Sequence, residues 1–136
     1  MRIARDFYKN RKILITGHTG FKGTWMCQVL LELGAEVTGY ELQPPTDPSL
    51  FSLTGMAEPM PPIEGNFRDL EHLLRVLQEM QPENVMHMAA QPIVRESYAN
   101  PVYTYDVNVM GTVNVLECVR RTASVRSFVN VTTAKV

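Results

Sequence analysis

The chain has 136 residues, 45% of them apolar and 20% charged, with a net charge of −1. That length holds one domain, or a piece of a larger one, with enough apolar material to bury a real core. The charge balance gives no electrostatic footing for nucleic acid or an anionic membrane surface, and no apolar run approaches the ~20 residues that span a bilayer.

The amino terminus, Met1-Arg2-Ile3-Ala4-Arg5-Asp6, is charged and lacks the apolar stretch of a signal peptide. Residues 12–16 form a continuous apolar run, the pattern of a strand covered on both faces. The run empties into Gly17-His18-Thr19-Gly20-Phe21-Lys22-Gly23, and a helix is expected over residues 21–33. Trp25, Met26, Val29, Leu30 and Leu33 have the spacing of its apolar stripe, and Gly34 suits its carboxyl end. A second strand is expected over residues 36–40. Residues 41–64 carry six prolines (Pro44, Pro45, Pro48, Pro59, Pro61 and Pro62), so they read as a surface excursion with one helical turn near residues 49–53.

A brief third strand is expected around residues 63–65. Asp69 can cap a helix running to about Gln81, with Leu70, Leu73, Leu74 and Leu77 on one side. Pro82 ends it, and residues 84–88 read as the fourth strand. Asn100-Pro101 suits a helix start, a capping side chain followed by proline at the first helical position, and the helix is expected to reach about Arg121. Residues 126–132 close as a fifth strand. Cys27 and Cys118 both fall in expected helices and read as buried, reduced thiols of a cytoplasmic protein. A zinc site would need more ligands at metal-like spacing, so no metal is expected.

Strands alternating with helices imply an α/β fold, a Rossmann-type doubly wound parallel sheet of about five strands in the order 3-2-1-4-5. Ligand should then lie at the carboxyl ends of strands one and four, where the winding reverses. Gly17 can make the sharp exit from the first strand, a side chain at Gly20 would block approach of phosphates, and Gly23 lets the helix pack closely on the sheet. A generic strand-to-helix turn is the alternative, but the position after a buried strand favours a dinucleotide. The Gly-Lys-Ser/Thr ending of a phosphate loop is missing, which argues against an ATPase. Glu41, 24 residues after Gly17, is placed to accept from the adenosine ribose hydroxyls and to repel a 2′-phosphate, favouring NAD over NADP; otherwise it is a solvated glutamate opening a loop. Asp69 serves as a helix cap, as an acceptor for the adenine amino group, or both, and Leu70 could pack beside the adenine.

Together these segments resemble the extended short-chain dehydrogenase/reductase family. The glycine turn is common to that superfamily. Its Gly17-His18-Thr19-Gly20-Phe21-Lys22-Gly23 form, with Pro44-Pro45-Thr46, Ser49-Leu50-Phe51, His87-Met88-Ala89-Ala90-Gln91-Pro92, Asn108-Val109-Met110-Gly111-Thr112 and Asn130-Val131-Thr132-Thr133, is similar to the dehydratases acting on CDP-glucose. The resemblance implies bound NAD, oxidation at C4 of the sugar, loss of water across C5 and C6, and a 4-keto-6-deoxy sugar nucleotide as product. The turn from Gly17 through Thr19, Gly20, Phe21, Lys22 and Gly23 would hold the cofactor. Ala89, Ala90 and Gln91 would line its nicotinamide side, and Asn108 would support the site from the long helix. Thr133 would hydrogen-bond the sugar near C4, and Lys135 would stand at the place of the C5 base. Each of these has a plainer reading as a loop, helix or strand-end residue. A nucleotide-sugar epimerase, a GDP-sugar dehydratase or a non-catalytic dinucleotide-binding module are the alternatives.

Two departures from the family pattern stand out. An aspartate is expected where Ala134 stands, and a methyl group cannot protonate a leaving hydroxyl, a role typically worth ~10²–10⁴-fold. The family's Tyr-x-x-x-Lys pair is absent; Tyr8 and Lys12 have that spacing but precede the first strand. The expectation is therefore a partial NAD-binding domain over residues 1–136, lacking the catalytic and substrate-binding region and inactive alone. Its fifth strand would be an open edge, and it would self-associate or form a homodimer, with the long helix at the contact.

Overall fold

A computed structural model describes residues 6–44 and 46–132. Five parallel strands, β1 (Lys12–Thr16), β2 (Glu36–Glu41), β3 (Ile63–Glu64), β4 (Asn84–His87) and β5 (Ser127–Asn130), form one sheet in the order β3-β2-β1-β4-β5. The expected topology is the observed one. β1 lies at the centre, with Thr16 beside Tyr40 on one flank and beside His87 on the other.

Alternation along β1 divides the core in two. Ile13 and Ile15 face one layer with Cys27, Leu30, Phe51, Met56 and Met60, supplied by helix α1 (Phe21–Glu32), the single turn α2 (Leu50–Leu53) and the loop after it. Leu14 faces the other layer, with Leu73, Leu74, Leu77, Val107, Val115 and Cys118. Helices α3 (Leu70–Met80) and α6 (Gly111–Arg120) carry most of that layer. Both thiols are free and buried, as expected, and burial pushes Cys27 up to about 12 and Cys118 up to about 11.

Local chemistry explains several helix ends. Gly34 follows α1 with φ +81°, the left-handed conformation a glycine cap adopts without penalty. Ser49 and Ser52 cap α2 reciprocally. Asp69 accepts from the His72 amide at 3.1 Å at the start of α3.

Two expectations hold only in part. Of the stripe read on α1, Leu30 is buried and Met26 packs against the same core layer, but Trp25 is 52% and Val29 45% exposed; Gly23, Thr24 and Cys27 complete the buried face instead. Gly23 sets that rotation, because a Cβ there would lie 1.9 Å from the Gly17 carbonyl oxygen, so its face must be the one against the sheet. The long helix expected from Asn100 runs from Pro101 to Arg120, but not regularly: α5 (Pro101–Tyr105) passes into a π-helical turn (Asp106–Met110) and then into α6, and a short helix α4 (Val94–Ala99) that was not expected precedes it. Pro101 does sit at the first position of α5, but Asn100 makes no capping bond; its side-chain amide donates to Glu96 of the preceding helix instead.

Candidate functional site

β1 and β4 neighbour one another at the centre of the sheet, while the chain passes from one to the other through β2 and β3. Their carboxyl ends therefore open a crevice that no crossover fills. Gly17 begins the bend there with φ +78°. A Cβ at Gly17 would lie 2.5 Å from the Ala89 nitrogen, so this glycine is required by the close approach of the bend to the end of β4. Gly23 is required for the helix contact already described. Gly20 differs from both. It is exposed, its φ is an ordinary −73°, and the nearest atom to an added Cβ is the Gly17 oxygen at 3.4 Å. Nothing in the fold demands glycine there; the space above it is open.

Gly20 is also the residue before α1, and no side chain caps that helix end. The amides of Phe21, Lys22 and Gly23 occupy the first turn, where the helix itself offers no acceptor. An open glycine beside unpartnered helix amides suits an anionic diphosphate. Phe21 is 71% exposed and Lys22 is exposed at the same mouth.

Glu41, at the end of β2, reaches the bend. Its carboxylate accepts from the Thr19 hydroxyl at 2.8 Å and from the Thr19 amide at 3.2 Å. Burial pushes its pKa up, and the two Thr19 donors work against that. His18, between Thr19 and Gly17, is 1% exposed, packs edge-on to Phe51, and neither ring nitrogen has a partner among the described residues. Burial lowers its pKa to about 4, so it is neutral near pH 7.

A cleft of about 500 Å³ runs along the strand ends, lined by Glu41, Asn66, Phe67, Arg68, Ala90, Gln91 and Val107 among others. Ala90 and Gln91 are thus brought to the same cleft as Glu41. Asn108 holds their loop from the π-helical turn: its Oδ1 accepts from the Gln91 amide at 2.8 Å and its Nδ2 donates to the Gln91 carbonyl at 3.0 Å. The Gln91 side chain is engaged locally, donating to Thr104 Oγ1 and accepting from the Ile93 amide.

Asp69 and Leu70 stand outside this lining; Asp69 is an exposed helix cap and Leu70 packs on the core. Asn66, Phe67 and Arg68, just after β3, take the place expected of them, and the sequence reading passed over these three. The signal was available: they leave the carboxyl end of a strand, where this architecture gathers ligand contacts. Arg68 also pairs with Asp106 of the π-helical turn at 2.8 Å, tying that turn to the loop. Thr133, Ala134 and Lys135 lie outside the described residues. Tyr8 and Lys12 sit at the opposite end of β1 from the bend, as expected for a chance spacing. Among the described residues no three His, Cys, Asp or Glu side chains gather as a metal site, and no helix is long and apolar enough to cross a membrane.

A reversal of winding with a glycine bend and an open helix end beside it defines a Rossmann-type nucleotide-binding domain. A profile described as GDP-mannose 4,6 dehydratase matches residues 14–136, and the chain belongs to that family. It is 46% identical over 133 residues to the CDP-glucose 4,6-dehydratase of Salmonella typhimurium, covering 98% of this chain and 37% of that relative. Among solved structures, an epimerase from Methanothermobacter thermautotrophicus superposes with a TM-score of 0.83 at 28% identity, over 96% of this chain and 37% of that one. UDP-glucose-4-epimerase from Stenotrophomonas maltophila, solved with bound NAD and formylated UDP-arabinopyranose, superposes with a TM-score of 0.79 at 26% identity, over 93% of this chain and 38% of that one. The chain thus spans well under half the length of the proteins it matches.

Proposed function

We propose that this chain is the NAD-binding portion of a nucleotide-sugar 4,6-dehydratase acting on CDP-glucose. The observation that carries the reading is Gly20: the one glycine of the bend that the fold does not need stands open beside uncapped helix amides. The residues present fit a dinucleotide. The amides of Phe21, Lys22 and Gly23 would grip the diphosphate, and Glu41 would accept from the adenosine ribose. Ala89, Ala90 and Gln91, held by Asn108, would flank the nicotinamide. When bound, NAD would take a hydride from the sugar and later return it. Thr133 and Lys135 are proposed, from the family resemblance, to contact the sugar at C4 and C5. The likeness to the Salmonella dehydratase supports CDP-glucose, and the epimerase likenesses support a nucleotide-sugar 4-epimerase as the second reading. A 4-keto-6-deoxy product and an inverted C4 hydroxyl separate the two in a full-length relative carrying this segment.

The direct test is calorimetric titration of the chain with NAD and NADP. NAD should bind and NADP should bind more weakly; Glu41→Gln should narrow the difference, because it removes the charge facing a 2′-phosphate. Equal affinity of the unaltered chain for both would remove the role given to Glu41.

The proposed setting is cytoplasmic, and the proposed assembly is a homodimer. Val102, Tyr105, Val109, Val113 and Leu116 are between 45% and 82% exposed, spaced at three and four residues along α5 to α6. That is the stripe by which one helix packs on another. Tyr105→Arg should give a monomer in sedimentation; a wild-type chain that already sediments as a monomer refutes the interface.

A further inference from the structure

His87 ends β4, 2% exposed, and stands outside the cleft lining. Its Nδ1 lies 2.6 Å from the Thr16 hydroxyl of β1, and its Nε2 lies 3.1 Å from the Thr112 hydroxyl of α6. Thr112 donates in turn to the Asn108 carbonyl at 2.8 Å, and the Ala89 amide donates to Thr16 Oγ1 at 3.3 Å. Asn108 then clamps both backbone groups of Gln91. One proton arrangement gives every donor an acceptor. The Thr16 hydroxyl donates to Nδ1, Nε2–H donates to Thr112, and the Thr112 hydroxyl donates to Asn108. A neutral imidazole protonated at Nε2 is therefore built into the path.

We propose that His87 is a positioning residue for the cofactor. It sets the loop of Ala89, Ala90 and Gln91 by joining the end of β1 to the π-helical turn that carries Asn108. This rests on the NAD reading above. The geometry supports it because both ends of the loop depend on the same ring: Ala89 through Thr16, and Gln91 through Thr112 and Asn108. Phe67 packs edge-on to the imidazole at 5.4 Å, so the ring cannot swing to other partners without displacing the core. A π-helical turn places Asn108 off the regular helical register, and such turns recur where a helix must present a group to a site. The loop is the part of the cleft assigned to the nicotinamide, whereas the glycine bend and Glu41 serve the adenosine diphosphate half. His87 should therefore influence one half of the ligand and leave the other alone.

Thr112 is only half-buried, so it is the safer place to cut the path. The experiment titrates the wild-type chain, Thr112→Val and Thr112→Ser with NAD and with ADP-ribose, which lacks the nicotinamide. The ring tautomer of His87 is read from imidazole ¹⁵N shifts. Expected are an Nε2-protonated ring in the wild type, NAD affinity about five- to tenfold lower in Thr112→Val with ADP-ribose affinity unchanged, and recovery of NAD affinity in Thr112→Ser. Equal NAD affinity in wild type and Thr112→Val overturns the proposal. A parallel loss for both ligands also overturns it, since that marks general loosening. An Nδ1-protonated ring overturns the path as drawn. Failure of wild type to bind ADP-ribose at all overturns the cofactor reading itself, a result distinct from the others.

Discussion

The three glycines of the bend should respond to alanine in different ways. Gly17 combines a left-handed φ of +78° with a Cβ position 2.5 Å from the Ala89 nitrogen. The backbone conformation alone costs about 1–2 kcal/mol for an L side chain, and forcing the two strand ends apart adds about 1–3 kcal/mol. In a domain whose whole stability is of order 5–15 kcal/mol, Gly17→Ala should lower the unfolding midpoint severely. Gly23→Ala should act comparably, because its Cβ would meet the Gly17 carbonyl oxygen at 1.9 Å and lift Cys27 and Leu30 off the sheet. Gly20→Ala meets nothing closer than 3.4 Å, so its stability cost is the about 0.5–1 kcal/mol of a poorer helix cap. Gly20→Val, with two further methyls over the helix end, should fold and yet lose NAD affinity on the order of 100-fold, the worth of one or two charge-assisted bonds. Guanidinium unfolding followed by circular dichroism gives the stabilities, and calorimetry gives the affinities. Wild-type NAD binding by Gly20→Val would refute the diphosphate site. An unchanged midpoint in Gly17→Ala would refute the packing argument.

The remaining expectations concern stability. Asp69→Ala removes the bond to the His72 amide and should cost about 0.5–2 kcal/mol without altering NAD affinity, because Asp69 stands outside the cleft; a loss of affinity at full stability would restore the adenine role. Burial holds His18 and His87 at about 4, against 6.5 for an unperturbed histidine. The unfolded chain therefore binds their protons first on acidification, so stability is whole above about pH 6.5, falls as pH drops towards 4, and levels off below it. The loss approaches about 3 kcal/mol per histidine. Glu41, whose carboxyl is raised by burial, works in the opposite direction over the acid range, one group against two. Urea unfolding at neutral pH and near pH 4.5 measures the difference, and equal stabilities would contradict the burial of both rings.

Much of this protein is local in origin. The apolar run Lys12–Thr16 has the pattern of a strand covered on both faces and is the central strand of the sheet, and alternation of strands with helices favours parallel pairing through right-handed crossovers, the topology found. Ser49, Asp69 and Gly34 mark element ends by bonds or dihedrals that lie within a few residues of themselves. Those features were legible in the sequence because their causes are short-range. The rotation of α1 was not, because apolar spacing fits two faces of that helix and only the contact of Gly23 with the Gly17 carbonyl chooses between them. Nor was the π-helical turn inside the helix after Asn100, which is held by Arg68 from the β3 loop and by Gln91 from the β4 loop. The joining of Thr16, His87 and Thr112 spans β1, β4 and α6 and exists only once the chain is folded. The sequence alone determined the alternation of strands with helices and the place of the bend. Tertiary packing decided which side chains reach the cleft, because partners distant along the chain supply the groups that hold them there.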